Sequence, residues 1–268
     1  MKTEVKGGFR NQASHKAWEE GSPVVSIITV VYNDAKGLER TLQSVQAQSY
    51  ANIEHIIIDG ASNDGTLEVI RKAEEKIAYW QTEPDNGLYD AMNKGLKIAS
   101  GDYVWFMNAG DLIHKKDTTE QIFFEESDYA DIYYGDTMVV NEAYEPIGLR
   151  RLRPPEQLNW KSFRRGMLVC HQAILVKRNL ADTYNQRYAH SADFDWVISA
   201  LKKTDKIRNT RLILTSFLDG GHSKQNIRPG LKERFHSRSR HYGFLPTLVR
   251  HIPIAFRFFR FYSKEGRF

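Results

Sequence analysis

Three apolar, β-branched runs within the first 111 residues each break off in a polar turn: VSIITVVY ends at Asn33-Asp34, IEHIIID ends on Asp59, and DYVWFM ends at Asn108-Ala109-Gly110-Asp111. Continuous apolar runs of this length describe strands buried on both faces, the condition of a parallel sheet covered by helices. Between the runs, Leu38, Leu42 and Val45 recur at helical spacing, as do Leu67 and Ile70 and then Met92, Leu96 and Ala99. Strands are predicted at 24–32, 53–59, 77–80 and 103–107, with helices leading up to Tyr50 and over 66–73 and 89–98. Strand alternating with helix predicts an α/β protein with a Rossmann-like, mixed but mostly parallel sheet flanked by helices.

After Asp111 the alternation loosens. A helix is expected to close at 122–124, strands at 132–134, 138–140, 173–176 and 211–218, and a helix at 194–201, with Pro154-Pro155 breaking the chain. Cys170 is the single cysteine, which excludes an internal disulfide and a cysteine metal cluster and fits a reducing, cytoplasmic compartment. No run approaches the roughly 18–20 apolar residues that span a bilayer, and residues 1–23 lack the apolar core of a signal peptide.

Ligands of open α/β sheets sit beyond the carboxyl ends of the strands, so the polar turns converge on one candidate site for a nucleotide and a metal. A carboxylate at the end of an apolar strand needs donors, and the N–H edge of a base would supply them to Asp59. In the following DGASNDGT, Ser62, Asp64 and Thr66 either line a ligand or simply turn the chain and cap a helix. Asp102 starts its strand and reads as a cap or surface group. Asp111, beside Asn108, can anchor a hard divalent ion that completes its shell with water and phosphate. In HSADFDW, Asp193 and Asp195 either satisfy a helix N-terminus or include a general base. His222, after Gly220-Gly221, can reach a phosphate or metal; His171, just before a strand, reads as structural.

Taken together, VSIITVVYN, IIIDGASNDGT, PDNGLYDAMNKG, GDYVWFMNAGD and SADFDW resemble, in order and spacing, the family 2 glycosyltransferases over roughly residues 24–220. The likeness is greatest to the bacterial branch that builds capsule, exopolysaccharide or O-antigen, of the colanic-acid and WfgS-like type. The resemblance implies a GT-A fold, inversion at the anomeric carbon, and a UDP-, GDP- or dTDP-sugar as donor with Mn2+ or Mg2+. It places Thr29, Tyr32 and Asn33 in the nucleotide pocket, Asp59 facing the base, Asp64 by the ribose or base, and Asp193 as the base, with Asp195 as the near competitor. The Asn108–Asp111 turn stands where the family carries its metal motif, here with one carboxylate. Met92 stands where many relatives place Arg, leaving Lys94 for the diphosphate. Three segments follow: a polar leader over 1–22, a GT-A domain over 23–221, and a basic amphipathic extension over 222–268.

That extension holds eleven Lys or Arg against two Glu, a charge of +9 that leaves about −4 elsewhere against +5 overall. From Leu245 onward, Leu248, Ile252, Ala255, Phe256 and Phe259 share one helical side with Arg250, Arg257 and Arg260 mostly opposite, the pattern of a helix lying in an anionic membrane interface. The alternative is a terminal helix packed on its own domain or on a second copy in a homo-oligomer. The resemblance adds a polyprenyl-diphosphate-linked glycan acceptor, so peripheral attachment to the inner membrane face is expected. Nucleic acid is not an expected partner, since no DNA- or RNA-binding signature accompanies the basic residues. Two other functional classes stand against transfer: a nucleotidyltransferase, which lacks its Gly-rich basic signature after the first strand, and a catalytically silent sugar-nucleotide or membrane-surface binder.

Overall fold

The computed structural model describes residues 5–11, 18–124, 127–219 and 227–250. Its spine is a ten-stranded sheet in the order β1-β4-β3-β2-β5-β9-β7-β10-β6, with β8 paired to β7. The strands are β1 (Val5–Gly7), β2 (Val25–Val31), β3 (Ile53–Asp59), β4 (Tyr79–Thr82), β5 (Tyr103–Phe106), β6 (Leu112–Ile113), β7 (Ile132–Val140), β8 (Pro146–Leu149), β9 (Ile174–Lys177) and β10 (Ile207–Leu218). β2, β3, β4 and β5 run parallel, as do β7 and β10, whereas β1, β6, β8 and β9 pair antiparallel with their neighbours.

Every residue of β2 is buried, as its unbroken apolar run requires. Helix α1 (Ala35–Gln46) covers one face with Leu38, Leu42 and Val45 and begins at Asp34, whose carboxylate accepts the Gly37 N–H at 2.9 Å. Helix α2 (Thr66–Lys72) buries Ile70 on the same side. Helix α3 (Leu88–Ile98) covers the opposite face with Met92 and Leu96. It lies so close to β2 that a Cβ on Gly95 would stand 2.4 Å from the Ile28 side chain. Helices α4 (Thr118–Phe123), α5 (Ala192–Leu201) and α6 (Ile227–Tyr242) follow along the chain, and residues 244–250 are also helical.

Several expectations need correcting. The segment read as two strands at 132–134 and 138–140 is the single strand β7, because Gly135 takes the strand past the Leu212 carbonyl where a Cβ would meet it at 2.5 Å. The fourth strand lies at Tyr79–Thr82, two residues beyond its predicted start, and β10 begins at Ile207 rather than 211. A register shift between Asn209 and Ile213, with Arg211 at φ 59°, lets polar residues enter β10.

The described part of the polar leader is stitched into the sheet. β1 pairs with β4, and Arg10 reaches across to the fully buried Glu54 at 2.6 Å. That carboxylate also accepts from the Ser26 and Ser100 hydroxyls, at 2.5 Å each, and from the Ser100 N–H at 2.8 Å. A buried charge persists only when paired and hydrogen-bonded in this way. The boundary near Pro23 therefore does not detach residues 5–11 from the domain.

The start of the basic extension is likewise part of the packed structure. Glu233 on α6 accepts from the N–H groups of Ala189 and His190, both at 2.9 Å, at the approach to α5. Tyr242 at the end of α6 stacks on Trp160 at 5.5 Å between ring centres, and Arg164 lies 5.1 Å from the Tyr242 ring. Residues 251–268, and with them Ile252, Ala255, Phe256, Arg257, Phe259 and Arg260, lie outside the described residues. Among the described residues no helix is long and apolar enough to cross a membrane.

Candidate active site

Strand order reverses at β2, with β3 and β4 to one side and β5 to the other. In an open α/β sheet the crevice outside the carboxyl ends of the strands at such a switch point is where ligands bind. The turns leaving β2, β3 and β5 meet there, joined by the start of α3, which follows β4.

On the β2–β3 side the two turns are zipped together. The Asn33 N–H donates to Ser62 Oγ at 2.8 Å, and the Asn33 side-chain oxygen accepts the Asn63 N–H at 2.9 Å. Asp64 accepts the Ala35 N–H at 3.0 Å and, at the start of α2, the Thr66 N–H at 3.1 Å and the Thr66 hydroxyl at 2.6 Å. The Thr66 hydroxyl and the Ala35 amide hold the Asp64 carboxyl below its ordinary value. Asn33 and Ala61 both sit at positive φ, 49° and 64°, backbone strain of the kind that gathers at ligand-binding turns.

Tyr32 projects from this surface with 66% of its area exposed. A Cβ on Gly60 would stand 3.1 Å from the Tyr32 ring and 2.6 Å from the Asp85 carboxylate, so glycine is what lets both approach the turn. Asp59 departs from its expected role. It is fully buried, and its carboxylate accepts from the Ser62 N–H and hydroxyl and from the Thr82 hydroxyl. Its donors come from the protein, so it builds the turn instead of standing bare before a base. The half-buried carboxylate beside Tyr32 and Gly60 is Asp85, which accepts the Gly87 N–H at 2.9 Å and whose ordinary value is raised by burial.

On the β5 side the Asn108–Asp111 turn is tied to α1 through Thr41, whose hydroxyl accepts the Gly110 N–H at 3.0 Å and donates to the Asp111 carbonyl at 2.8 Å. The Tyr144 hydroxyl, from the loop between β7 and β8, donates to the Gly110 carbonyl at 3.0 Å, and the Arg40 guanidinium lies 4.2 Å from the Tyr144 ring centre. Asp111 is only 8% exposed, and burial pushes its carboxyl up to about 6. Gln172 Nε2 donates to its Oδ2 at 3.0 Å. The Asn108 side-chain oxygen is buried with no hydrogen-bond partner.

Gln172 arrives because β9 runs antiparallel to β5, which sets the residues before β9 against the carboxyl end of β5. The Trp105 indole N–H fixes this approach by donating to the Gln172 carbonyl at 2.6 Å. His171 comes with it. Its Nδ1 lies 3.5 Å from Asp193 Oδ2, and its Nε2 is buried and unpartnered. The Tyr89 hydroxyl, from the first turn of α3, donates to Asp193 Oδ1 at 3.3 Å. Burial opposes ionisation of Asp193, yet the hydrogen bond and charge of His171, aided by the charge of Arg234, outweigh it and hold the carboxyl below its ordinary value. Beneath these groups the Tyr89, Tyr184 and Trp196 rings stack at 5.3 and 5.1 Å.

The two acids of α5 face opposite ways, since residues two apart on a helix differ by about 200° in direction. Asp193 faces the crevice. Asp195 accepts from Ser237 Oγ and His241 Nε2, both at 2.8 Å, with Arg240 at 3.6 Å. Burial opposes its ionisation, but these partners hold it ionised below its ordinary value. Asp195 is therefore the latch for α6 and not a free base. Asp195→Ala should lower unfolding free energy by about 2–4 kcal/mol, because it strands buried donors on α6. Urea unfolding checks this, and a loss below about 0.5 kcal/mol would remove the latch from the account.

Thr29 and Lys94 also need correction. Thr29 is fully buried within β2, where its hydroxyl meets His55 Nε2 at 3.0 Å, so it exposes no surface that could line a pocket. The Lys94 ammonium lies 2.8 Å from Glu83 and donates to the Pro84 carbonyl at 3.0 Å, so it braces the turn before α3. Met92 is buried in the core. Asp102 accepts the Val24 N–H at 2.8 Å at the entrance to β2, as a cap. His222 lies outside the described residues.

A divalent cation fits this donor set in one way. Among the described residues no group of three or more His, Cys, Asp or Glu stands ready to hold a metal. The buried Asp111 carboxylate and the unpartnered Asn108 oxygen are hard oxygen donors, the number that a Mg2+- or Mn2+-type ion takes from protein when a diphosphate supplies the remainder.

Comparison with known proteins gives the family and the fold. An uncharacterised glycosyltransferase of Mycobacterium tuberculosis is 33% identical over 257 residues, covering 92% of this chain and 95% of the relative. A UDP-Glc:alpha-D-GlcNAc-diphosphoundecaprenol beta-1,3-glucosyltransferase of Escherichia coli is 28% identical over 200 residues, covering 72% of this chain and 76% of its own length. Among solved structures, Staphylococcus aureus TarS 1-349 in complex with UDP-GlcNAc superposes with a TM-score of 0.64 at 16% identity, over 86% of this chain and 73% of the TarS 1-349 chain. A Pyrobaculum calidifontis mannosyltransferase in complex with GDP-Man and Mn2+ gives 0.62 at 18% identity, over 94% of this chain and 80% of the other. The fold is that of the GT-A glycosyltransferases. The profile of Glycosyl transferase family 2 matches residues 26–184, the stretch from β2 to the tyrosine stacked beneath Asp193, and the chain belongs to that family.

Proposed function

We propose that this glycosyltransferase moves a sugar, with inversion, from a nucleoside-diphosphate sugar to a hydroxyl of a polyprenyl-diphosphate-linked glycan in bacterial surface polysaccharide synthesis. The observation that carries the reading is the meeting of Asp111 and Asp193 around His171 and Gln172 at the end of β5. In this reading Asp111 serves the departing diphosphate and Asp193 the entering acceptor hydroxyl. The relative from Escherichia coli, named for a diphosphoundecaprenol acceptor, supports the acceptor class, and the UDP-GlcNAc complex of TarS supports the donor class.

Tyr32, Asn33 and the 60–65 turn form the wall for the nucleotide, with Ser62 and Asp64 holding that wall and Asp85 as its half-buried acid. Asp111 and Asn108 would hold Mn2+ or Mg2+ together with the donor diphosphate, and the ion would supply positive charge against the departing group. Asp193 takes the proton of the acceptor hydroxyl. That oxygen bonds to the anomeric carbon from the face opposite the diphosphate, and the electron pair of the breaking C–O bond departs on the phosphate oxygen. His171, aided by the charge of Arg234, holds the Asp193 carboxylate in its ionised form for this step, and the Tyr89 hydroxyl donates to it at 3.3 Å.

The exposed apolar side chains Phe244, Leu245, Leu248 and Val249, beside Arg250, support peripheral attachment to the inner membrane face. The enzyme is tested with a panel of UDP-, GDP- and dTDP-sugars and Mn2+ or Mg2+, followed by nucleotide release with and without a polyprenyl-linked glycan. Acceptor-dependent release from one donor is the expected result. Binding of a nucleotide with no turnover under any condition would favour a catalytically silent binder.

A further inference from the structure

Helix α6 is held to α5 along one line of side chains. Glu233 accepts at the approach to α5, and Ser237 and His241 donate to Asp195. His241 Nδ1 meets the Lys202 ammonium at 3.0 Å, so its Nε2 carries the proton given to Asp195. About 100° further round the same helix stand Arg234 and Arg238, four residues apart and therefore neighbours on one face. The latch fixes their position beside the first turn of α5, where Asp193 sits.

Both arginines are short of partners. The Nε of each is buried without a hydrogen-bond acceptor, and among the described residues neither forms an ion pair. Arg238 lies 5.3 Å from the ring centre of Phe194, the residue after Asp193. The charge of Arg234 is felt at Asp193 itself. Burial, then the positive charges of Arg234 and Arg250, pull Arg238 below its ordinary value. Two like charges held together with unmet donors are costly to the folded protein, and an anion lying between them would relieve both terms. Guanidinium groups suit phosphate oxygens because their donors meet them in pairs.

We propose that Arg234 and Arg238 form a binding site for the diphosphate ester of the acceptor, which sets the sugar hydroxyl within reach of Asp193. The inference rests on the transferase reading above for its choice of ester, and on the arginine pair for the site itself. An acceptor whose sugar is attached directly to diphosphate would then be held at its anionic end by α6 and presented at its sugar end to the base.

The test uses the full chain with its donor site filled by Mn2+ and whichever of UDP, GDP or dTDP binds. Farnesyl diphosphate, inorganic pyrophosphate and phosphatidylglycerol vesicles serve as probes in calorimetry or sedimentation. Wild type is expected to bind farnesyl diphosphate, and the double variant Arg234→Gln/Arg238→Gln to bind it at least thirtyfold more weakly, on the order of the loss of two charge-assisted contacts. Arg234→Lys/Arg238→Lys should recover part of the affinity, and Lys232→Gln, on the exposed side of the same helix, should leave it unchanged. Thermal unfolding and nucleotide affinity of the Gln variant report that it is folded. Equal binding of pyrophosphate supports the site and assigns recognition to the diphosphate alone. No binding by wild type, unchanged binding by the Gln variant, or a loss seen only with vesicles would overturn the proposal. Diphosphate binding that depends on the arginines in a protein without donor turnover would keep the site and overturn the transferase reading.

Discussion

Asp193→Asn is expected to cut glycosyl transfer by about 10²- to 10⁴-fold, the usual worth of a positioned base, while nucleotide affinity stays at the wild-type level. The asparagine keeps the shape that Tyr89 and His171 contact, at 3.3 and 3.5 Å in the native protein, but it cannot take a proton. Nucleotide binding is expected to be spared because the wall proposed for it, Tyr32, Asn33 and the 60–65 turn, belongs to other strands. Single-turnover transfer and nucleotide titration of the same preparation check the two halves. Transfer above a tenth of wild type would remove Asp193 as the base. Loss on His171→Gln alongside retention in Asp193→Asn would give the proton to the imidazole, with the carboxylate orienting it.

Asp111→Asn should separate stability from activity. In the native protein the Asp111 carboxyl is raised by burial from 3.8 to about 6. Well below the ordinary value of 3.8 the group is protonated whether the chain is folded or unfolded, and it costs nothing. As pH rises the unfolded chain ionises first and holds fewer protons, so stability falls until the folded form ionises too, above about 6. The full cost is about 3 kcal/mol. In protein freed of divalent metal, Asp111→Asn should abolish this loss and be more stable than wild type at neutral pH by up to that amount. Its donor turnover should drop by about 10²-fold or more, since the turn then offers the diphosphate end no carboxylate. Urea unfolding at pH 4 and 7 in EDTA, paired with nucleotide release, makes the measurement. Equal pH slopes for the two proteins would show that Asp111 is not the group burdened by burial.

The parts of this molecule that could be read in advance are those fixed by unbroken apolar runs. β2, β3 and β5 were legible because burial on both faces leaves no alternation to misread, and their polar ends located the crevice. The strands missed, β1, β6 and β8, are two to four residues long and carry no period of their own. His171 read as a structural histidine because its place depends on the direction of β9, and nothing local announces an antiparallel neighbour to β5. Asp85 carries no local signal for the same reason, since only the fold brings the turn after β4 against Gly60. The choice between Asp193 and Asp195 was open on spacing alone. Helical geometry guarantees that they diverge, but which one faces the crevice is decided by Ser237 and His241, more than forty residues away.

The latch between α5 and α6 has a bearing on how such enzymes can be recombined. A chimera that exchanges acceptor preference by joining two relatives between these helices would pair one parent's Asp195 with another parent's Ser237 and His241 positions. Any mismatch there would tilt the helix that bears Asp193. A productive crossover therefore lies upstream of 189, so that Asp193, the latch and the basic helix are inherited together.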